Sequence, residues 1–569
     1  MSHSALFTFK IGGQAGQGIK SAGLILAKVA TRSGYGIFNH TEYPSLVRGG
    51  HNVMSVTVAA GKVAAPTQQT NFLVALDQET VKRHAAELPE NGFLLFDAGS
   101  SMNTEGLGTN LHLCPVPLLK TAREIGNDLL TNTVALGAAL ALLGGKLEIL
   151  QQLLAEEFAD KKPIVVTQNQ TAAEKGFNFA HDQFGKFALQ ILTPRPEIAP
   201  QIIVNGNDAI AMGAIAAGMQ FAAIYPMTPI SNIMHNLTPW QQKYRFIFKQ
   251  PEDEIAGINM AIGASFAGAR SLVATSGGGF CLMAEGYGLA GMTETPLVII
   301  EGMRPGPATG LPTWSEQGDL RFVLHAHQGN FPKIILAPGD PEEAFRFTME
   351  AFNLADIYQT PVVVLVDKNI CEDDQSFPPF DISGYKLDRG EFSGGVRENY
   401  QRYALTENGI SLRAIPGHDT FILANSDEHD ETGFSTEEAE MRRKQMDKRM
   451  QKLETCRKRD LFSPILYGPK EAETTIISWG SNKGSILEAL KVLDGVNYLH
   501  ITSASPFPAT TVKEQLSKAK HLINIENNFT AQMGGLIREK TGLEITDNFL
   551  KYDGRPIYPE EIINKVQNG

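Results

Sequence analysis

Cysteine is scarce in this chain, and its few cysteines lie far apart. The 569 residues contain 4 cysteines, and no two of them form a CxxC pair. We therefore expect neither a disulfide framework nor an iron–sulfur cluster held by this chain alone. The four positions are Cys114, Cys281, Cys371 and Cys456.

Excess positive charge and long apolar runs are absent as well. The formal net charge is -12, and no basic patch interleaved with aromatic residues occurs, which argues against nucleic-acid binding. No stretch without polar residues is long enough to span a bilayer, and the first residues lack the features of a signal peptide. We expect no nucleic-acid partner, no membrane partner and a cytoplasmic location.

Sequence patterns of metal ligands and nucleophiles are also missing. His51, His325 and His327 lack the spacing of a zinc site, so we expect ordinary core or surface histidines and no metal site on this chain. Cys281 lies within GFCLM and has no deducible base beside it. We therefore expect a small buried apolar side chain there rather than a nucleophile.

Glycine and apolar residues, in contrast, are abundant. With 54 glycines and 43% hydrophobic residues, the composition is typical of a glycine-rich α/β protein of roughly three or four domains. The proline-punctuated stretch 192–201 is the clearest boundary. We predict α/β domains over 1–195, 200–430 and 468–569, and a charged helical linker over 431–467. The linker pattern is typical of a solvated spacer or an interface helix.

Four unusual loops follow apolar runs within residues 221–320. Each combines glycine or proline with polar groups, at the position where ligands bind in open α/β sheets. This arrangement predicts a cleft for a cofactor and a substrate. The loops are YPMTPIS (225–231), QPEDEIAGINMA (250–261), TSGGGFCLMAEG (275–286) and EGMRPGPATGLPTWSEQGDL (301–320).

Glu254 carries the sharpest chemical hypothesis. It opens a segment in which nine of the sixteen residues through Ala269 are Ala, Gly or Ser, so the predicted helix packs closely and holds its first carboxylate in poor contact with water. The helix dipole favours that charge, and a facing ligand tunes its proton affinity. Thiamine diphosphate needs such a carboxylate at N1′ of its pyrimidine ring. The alternative is that Glu252, Asp253 and Glu254 merely favour a helix start.

In this order, the four loops resemble the pyrimidine-binding domain of the 2-oxoacid:ferredoxin oxidoreductase alpha subunit. YPMTP corresponds to that family's YPITP signature, with Met227 as a near-isosteric replacement. The resemblance implies that Thr228 contacts substrate and cofactor and that Glu254 is the partner of the pyrimidine. It also implies that Arg304 and, nine residues on, Thr313 bind the substrate carboxylate.

Further cofactor contacts are expected in the first and third loops. Pro226 belongs to the same signature, and Ser276 with Gly277 follows the predicted strand SLVAT. For the third loop, simple turn chemistry is the open alternative.

Half of a thiamine diphosphate site is missing from the sequence. The chain lacks the GDG motif, followed by an Asn, with which thiamine enzymes hold Mg²⁺ and diphosphate, and QGDL at 317 and YDGRP at 552 are no substitutes. It also lacks a motif for the cluster that one-electron transfer to a low-potential acceptor requires. Both absences fit the family, whose beta subunit contributes the diphosphate domain with Mg²⁺ and a [4Fe-4S] cluster. The resemblance thus implies a beta partner, ferredoxin and an α2β2 assembly.

The first domain opens with a glycine loop between a strand and a helix. Gly13, Gly16 and Gly18 in GGQAGQG allow backbone N–H groups to approach an anion at a helix N-terminus, although the spacing is not GxGxxG. A tight turn without a ligand is the alternative. Together with NHTEYPSLVRGGHNVMS (39–55), the loop resembles the gamma domain of the same enzymes, which receives coenzyme A. We expect coenzyme A contacts from these glycines and Arg48, for which a surface ion pair is the alternative.

The resemblance implies reversible oxidative decarboxylation of a 2-oxoacid, with transfer of the acyl group to coenzyme A. The fused gamma and alpha order and GLPTWSEQGDL are most similar to the 2-oxoglutarate enzymes, with pyruvate and branched-chain oxoacids as rivals. The implied fold has a gamma-type domain, a thiamine pyrimidine-binding domain and a transketolase C-terminal-like domain. A hypothesis of another class is a non-catalytic nucleotide-binding module that uses the N-terminal glycines alone.

Overall fold

The structure is a computed structural model that describes residues 6–46, 49–108, 110–393, 399–417 and 421–568. It confirms a mixed α/β fold. The chain forms two compact units. The first comprises Met1–Val204, Asp373–Phe380 and Tyr558–Gly569, and the second comprises Asn205–Glu372 and Asp381–Ile557.

Strands and helices alternate along most of the chain. The strands are β1 Phe7–Gln14, β2 Gly36–Glu42, β3 His51–Ala59, β4 Phe72–Ala75, β5 Phe93–Asp97, β6 His112–Val116, β7 Ile202–Val204, β8 Phe221–Ile224, β9 Ile247–Lys249, β10 Ser271–Ser276, β11 Leu297–Met303, β12 Ile334–Leu336, β13 Pro361–Asp367, β14 Asp374–Phe377, β15 Ile465–Tyr467, β16 Thr474–Ser478, β17 Val496–His500, β18 Ser503–Ser505, β19 His521–Glu526 and β20 Asp547–Leu550.

The α-helices are α1 Ile19–Arg32, α2 Gln78–His84, α3 Leu118–Ile125, α4 Thr131–Leu142, α5 Leu147–Glu157, α6 Pro163–Phe184, α7 Gly206–Ala216, α8 Ser231–Leu237, α9 Gln241–Tyr244, α10 Glu254–Phe266, α11 Gly277–Met292, α12 Leu320–His325, α13 Pro341–Tyr358, α14 Lys368–Glu372, α15 Ala439–Arg457, α16 Asn482–Leu490, α17 Ala509–Leu516, α18 Gln532–Thr541 and α19 Pro559–Asn568. Short 3₁₀ helices occupy Ala85–Glu87, Asp128–Leu130, Gly185–Phe187, Thr238–Trp240 and Asp460–Phe462. No helix of the described residues is long and apolar enough to cross a membrane.

The first unit is built on an eight-stranded sheet in the order β6-β5-β4-β1-β3-β2-β14-β7. Strands β1, β4, β5 and β6 run parallel, whereas β3 is antiparallel to β1. The carboxyl ends of β1, β4, β5 and β6 and the start of β3 therefore share one edge of this sheet.

Small residues bring two helices of the first unit, α4 and α6, close together. A Cβ on Gly137 would lie 2.0 Å from the carbonyl oxygen of Ala173.

The second unit contains two sheets that share one apolar core. The seven-stranded sheet has the order β18-β12-β13-β11-β10-β8-β9, and the five-stranded sheet has the order β15-β17-β16-β19-β20. Leu365 and Ile299 of the first sheet belong to the same buried cluster as Leu499 and Ile477 of the second sheet. Residues of the expected C-terminal domain therefore pack into the same unit as the expected pyrimidine-binding domain. The four-part division of the chain remains a prediction.

The charged helix α15 is buried along one face and is therefore not a fully solvated spacer. Nζ of Lys448 lies 2.8 Å from one oxygen of Glu294, and Nζ of Lys452 lies 2.5 Å from the other. Glu294 is fully buried. Burial alone would raise its pKa, but the charges of Lys448 and Lys452 hold that pKa well below its ordinary value. The ion pairs join α15 to the loop after α11, where Glu294 lies.

Candidate active site at the edge of the seven-stranded sheet

Parallel strands of the second unit place the four predicted loops at one edge of its larger sheet. Strands β8, β9, β10, β11 and β13 are parallel, so the loops after their carboxyl ends lie on the same side. Pro226 and Thr228 follow β8, Ser276 ends β10, and Arg304 follows β11. The end of β11 packs closely against the loop after β8, since a Cβ on Gly302 would lie 2.5 Å from Cγ2 of Ile230.

Buried polar atoms without a hydrogen-bond partner are concentrated in these loops. Native proteins pair almost all such atoms, so each exception calls for an explanation. Several exceptions in loops at one sheet edge indicate a surface that faces a ligand. Within the described residues, the unpaired atoms in these loops include Oε1 of Glu254, Oγ of Ser276, Oγ1 of Thr313 and Oγ of Ser315.

Glu254 is the first residue of α10 and is 3% exposed. The side chain of Asp253 caps the helix by accepting from the backbone N–H of Ala256, so Glu254 is not needed as the cap. A Cβ on Gly279 would lie 2.6 Å from Oε1 of Glu254. Glycine at 279 therefore makes room for the carboxylate, which is buried at the positive end of a helix dipole.

Thr228 and Arg304 are brought together by a direct contact. Nη1 of Arg304 donates a hydrogen bond of 2.9 Å to the backbone carbonyl oxygen of Thr228. Burial lowers the pKa of the half-buried Arg304, and the charge of Asp319 offsets part of that effect. One end of the guanidinium is thus fixed to the loop after β8. Thr313 is 5% exposed in the loop after β11.

The glycine loop of the first unit also forms the predicted strand-to-helix turn. Gly16 has a φ of +95° and Gly18 a φ of +70°, backbone conformations that favour glycine. No side chain caps the N-terminus of α1. Gly13 is enclosed by Gln17, whose side chain accepts from the backbone N–H of Gln14. Arg48, the fourth expected coenzyme A contact, lies outside the described residues.

Almost the whole chain is similar to curated alpha subunits. A 2-oxoacid:ferredoxin oxidoreductase subunit alpha from Sulfolobus sp is 33% identical over 611 residues, which cover 97% of this chain and 95% of the relative. This chain belongs to the 2-oxoacid:ferredoxin oxidoreductase alpha-subunit family. It is therefore a subunit of an enzyme, and the family resemblance drawn from the loops is confirmed.

Other comparisons of this alpha subunit agree in fold and family. The solved structure of 2-oxoglutarate:ferredoxin oxidoreductase from Magnetococcus marinus, with 2-oxoglutarate, coenzyme A and succinyl-CoA bound, has a TM-score of 0.94 and 29% identity, and the match covers 100% of both chains. The 2-oxoglutarate synthase subunit KorA from Methanothermobacter thermautotrophicus is 33% identical over 371 residues, which cover 64% of this chain and 98% of the relative.

Two family models match separate parts of the alpha subunit. Residues 212–448 match the model described as pyruvate flavodoxin/ferredoxin oxidoreductase, thiamine diphosphate-binding. Residues 8–179 match the model described as pyruvate ferredoxin/flavodoxin oxidoreductase. The first match contains Thr228, Glu254 and Arg304. The alpha subunit therefore has a thiamine diphosphate-binding domain, and these three residues lie within it.

The donor set of the site fits the pyrimidine end of thiamine diphosphate. A buried carboxylate with an unpaired oxygen, Glu254, suits a ring nitrogen that must exchange a proton. The hydroxyl of Ser276 is buried and unpaired in the next loop. Among the described residues, no group of three or more His, Cys, Asp or Glu side chains is arranged to hold a metal ion.

Glu301 and Asp319 are site residues that the sequence analysis did not assign. Glu301, in β11, is fully buried, and burial and then the charge of Asp319 raise its pKa well above the ordinary value. Burial raises the pKa of Asp319 to about 6, although a hydrogen bond with the Glu301 side chain and the charge of Arg304 offset part of the rise. A Cβ on Gly277 would lie 2.5 Å from Oδ2 of Asp319. The sequence signal that could have identified Glu301 is a carboxylate near the end of an apolar strand.

One expectation about the alpha subunit is wrong. Cys281 is exposed, whereas we expected a buried apolar side chain. The reason is its position on the first turns of α11, where Phe280 is buried in the core and the next residue, about 100° further round the helix, faces outward. Its pKa is raised, by partial burial and then by the charge of Asp319, so the thiol is not activated as a nucleophile.

Proposed function

We propose that this chain is the gamma-fused alpha subunit of an enzyme that reversibly converts 2-oxoglutarate and coenzyme A to succinyl-CoA and CO₂ while reducing ferredoxin. The names of the Magnetococcus marinus and Methanothermobacter thermautotrophicus relatives support 2-oxoglutarate. The alternative is the same chemistry on pyruvate or branched-chain oxoacids. The descriptions of the two matching family models, which name pyruvate, support this alternative.

The observation that carries the proposal is the buried carboxylate of Glu254 with its unpaired Oε1. Bound thiamine diphosphate supplies the carbanion that attacks a 2-oxoacid. In the proposal, Glu254 holds and exchanges the proton at N1′ of the pyrimidine. Pro226, Ser276 and Gly277 contact the cofactor beside it.

Arg304 and the two threonines orient the substrate in this proposal. The guanidinium is fixed on one side by the Thr228 carbonyl oxygen, which leaves its planar shape suited to a carboxylate. The hydroxyl of Thr228 contacts substrate and cofactor. Thr313 assists through a buried hydroxyl that has no partner among the described residues. Removal of these donors is expected to weaken substrate orientation without removing the cofactor.

The remaining parts of the enzyme come from outside this chain in the proposal. A beta subunit supplies the diphosphate site, Mg²⁺ and a [4Fe-4S] cluster, since the sequence carries neither a GDG motif nor a CxxC pair. The assembly is α2β2 in the cytoplasm, with ferredoxin as electron acceptor. Gly13, Gly16, Gly18 and Arg48 contact coenzyme A.

The test is Glu254→Gln in the complex with the beta subunit. An amide can hydrogen-bond N1′ but cannot exchange its proton in the same way, so turnover is expected to fall about 10² to 10⁴-fold. Glu252→Gln is the matched control, because Glu252 is an exposed neighbour in the same acidic run. Hydrogen–deuterium exchange at the thiazolium carbon measures the step directly. Wild-type exchange in Glu254→Gln would refute the assignment.

A further inference from the structure

A chain of three side chains in the first unit ends at an unpaired ring nitrogen beside the glycine loop. Nε2 of His51 lies 3.0 Å from Nε2 of His84, and Nδ1 of His84 lies 2.7 Å from Oε1 of Glu87. The other oxygen of Glu87 accepts from Thr70 at 2.7 Å and from Lys10. Within the described residues, Nδ1 of His51 is buried and has no hydrogen-bond partner.

In the state in which both rings are neutral, the contacts determine which ring nitrogens carry protons. Burial would raise the pKa of Glu87, but His84 and Lys10 hold it below its ordinary value, so Glu87 accepts and Nδ1 of His84 donates. With both rings neutral, Nε2 of His84 must then accept from Nε2 of His51. Burial, and then the proximity of His84, lower the pKa of His51 and favour its neutral form. Nδ1 of His51 is therefore an acceptor that lacks a donor.

This nitrogen belongs to the edge of the sheet where a ligand is expected. His51 begins β3 and pairs with Gln14 at the end of β1. The ring carbon Cε1 of His51, which joins its two nitrogens, would lie 3.1 Å from a Cβ on Gly12. A second unpaired acceptor, Oδ2 of Asp77, follows β4 at the same edge. Two buried acceptors without donors thus lie at the edge where the glycine loop begins.

Two hydrogen-bond acceptors disfavour the phosphates of coenzyme A and favour its N–H groups. The phosphates of coenzyme A are acceptors themselves and repel a carboxylate. The pantetheine arm offers amide N–H groups, and the adenine ring offers an amino group. Both are neutral N–H donors that match Nδ1 of His51.

We propose that His51 is a coenzyme A-binding residue that accepts a hydrogen bond at Nδ1 from a neutral N–H group of the coenzyme. His84 and Glu87 are positioning residues that hold the tautomer in which this nitrogen is an acceptor. The inference rests on the proposed function, because it takes coenzyme A as the ligand of this domain. It adds a histidine in β3 to the coenzyme A contacts that the sequence indicated, which were the backbone of the glycine loop and Arg48.

The test compares His51→Asn with His51→Gln in the complex with the beta subunit. Asn can place an acceptor where Nδ1 lies but cannot reach His84, whereas Gln can reach His84 but has no acceptor at the Nδ1 position. Loss of one such bond corresponds to about a tenfold weaker binding. We therefore expect the dissociation constant for coenzyme A to rise about tenfold in His51→Gln and to stay within about threefold of wild type in His51→Asn. The matched control is His181→Gln, because the side chain of His181 is exposed on α6.

Two fragments of coenzyme A distinguish the sources of the donor. Pantetheine binding should weaken in His51→Gln if the donor is an amide of the arm, and adenosine 3′,5′-bisphosphate binding should weaken if it is the adenine amino group. Equal weakening of coenzyme A binding in both variants, or no weakening in either, would overturn the proposal. Reduction of the cluster by the 2-oxoacid in the absence of coenzyme A checks folding. Failure of wild type to bind coenzyme A would instead refute the proposed function of this domain.

Discussion

Asp319→Asn should make the protein more stable at neutral pH, although it alters the candidate active site. Asp319 immediately precedes α12, and no helix N–H depends on its side chain, because that side chain makes no capping hydrogen bond. Burial raises its pKa from 3.8 to about 6. Folding thus makes ionisation of this carboxyl group harder, and the ionised group opposes folding at neutral pH.

The magnitude and sign follow from proton linkage. A carboxyl group whose pKa is raised in the fold contributes stability that is fully present below its unfolded pKa, and this stability is lost as pH rises through the folded pKa. The window here runs from about pH 4 to about pH 6. A rise of about two pKa units corresponds to about 3 kcal/mol at 1.36 kcal/mol per unit. Asn carries no charge at any pH and removes this penalty.

The assay is the unfolding temperature of the complex measured across that window. We expect Asp319→Asn to be more stable than wild type by about 2 to 3 kcal/mol above pH 7 and nearly equal to wild type near pH 4. Asp494→Asn is the control, because Asp494 is exposed in the same unit. A stability difference that does not change with pH would refute the reasoning. So would a variant that is less stable than wild type at pH 8.

Three further predictions concern the substrate, the partner and the charged helix. Arg304→Lys keeps the positive charge but loses the planar, two-pronged donor of the guanidinium. The specificity constants of every 2-oxoacid should therefore fall. A fall confined to 2-oxoglutarate would instead assign Arg304 to the distal carboxylate of that substrate. The chain expressed alone should be colourless, iron-free and inactive, and stoichiometric iron in its metal analysis would contradict this. Lys452→Met removes one of the two lysines that pair with buried Glu294, so the free energy of unfolding should fall by roughly 3 kcal/mol. Lys444→Met is the control, because Lys444 is exposed on the same helix.

The candidate site could be predicted from the sequence because the residues that mark each of its loops are close together in the chain. Each loop shows its glycine, proline and polar residues within about ten positions, and parallel strands bring the following loops to one edge. The glycine loop of the first unit was predictable for the same reason, since a strand, a turn and an amphipathic helix follow each other directly. The structure accordingly places Thr228, Glu254, Ser276 and Arg304 in loops of one sheet edge.

What the sequence did not reveal depends on partners far along the chain. The basic face of α15 looked solvated because Glu294, which neutralises it, is about 150 residues away. Strand β14 joins the sheet of the first unit after more than 150 residues of the second unit have intervened. In the sequence, Glu301 does not differ from other polar residues near strand ends, and only the fold shows that it is fully buried. No local pattern records such long-range contacts.

The acid–base composition of the site supports the division of the cofactor between two chains. Glu301 and Asp319 lie close enough for each to shift the pKa of the other, and Arg304 is the cation that acts on Asp319. Burial, and then the charge of Asp319, also raise the pKa of Glu316. A diphosphate placed beside these groups would add negative charge where carboxylates already resist ionisation. A pyrimidine ring needs an acidic partner and suffers no such repulsion. The edge is therefore suited to the pyrimidine end of thiamine diphosphate. This charge argument, together with the absence of a GDG motif, supports the proposal that the beta subunit holds the diphosphate and its Mg²⁺.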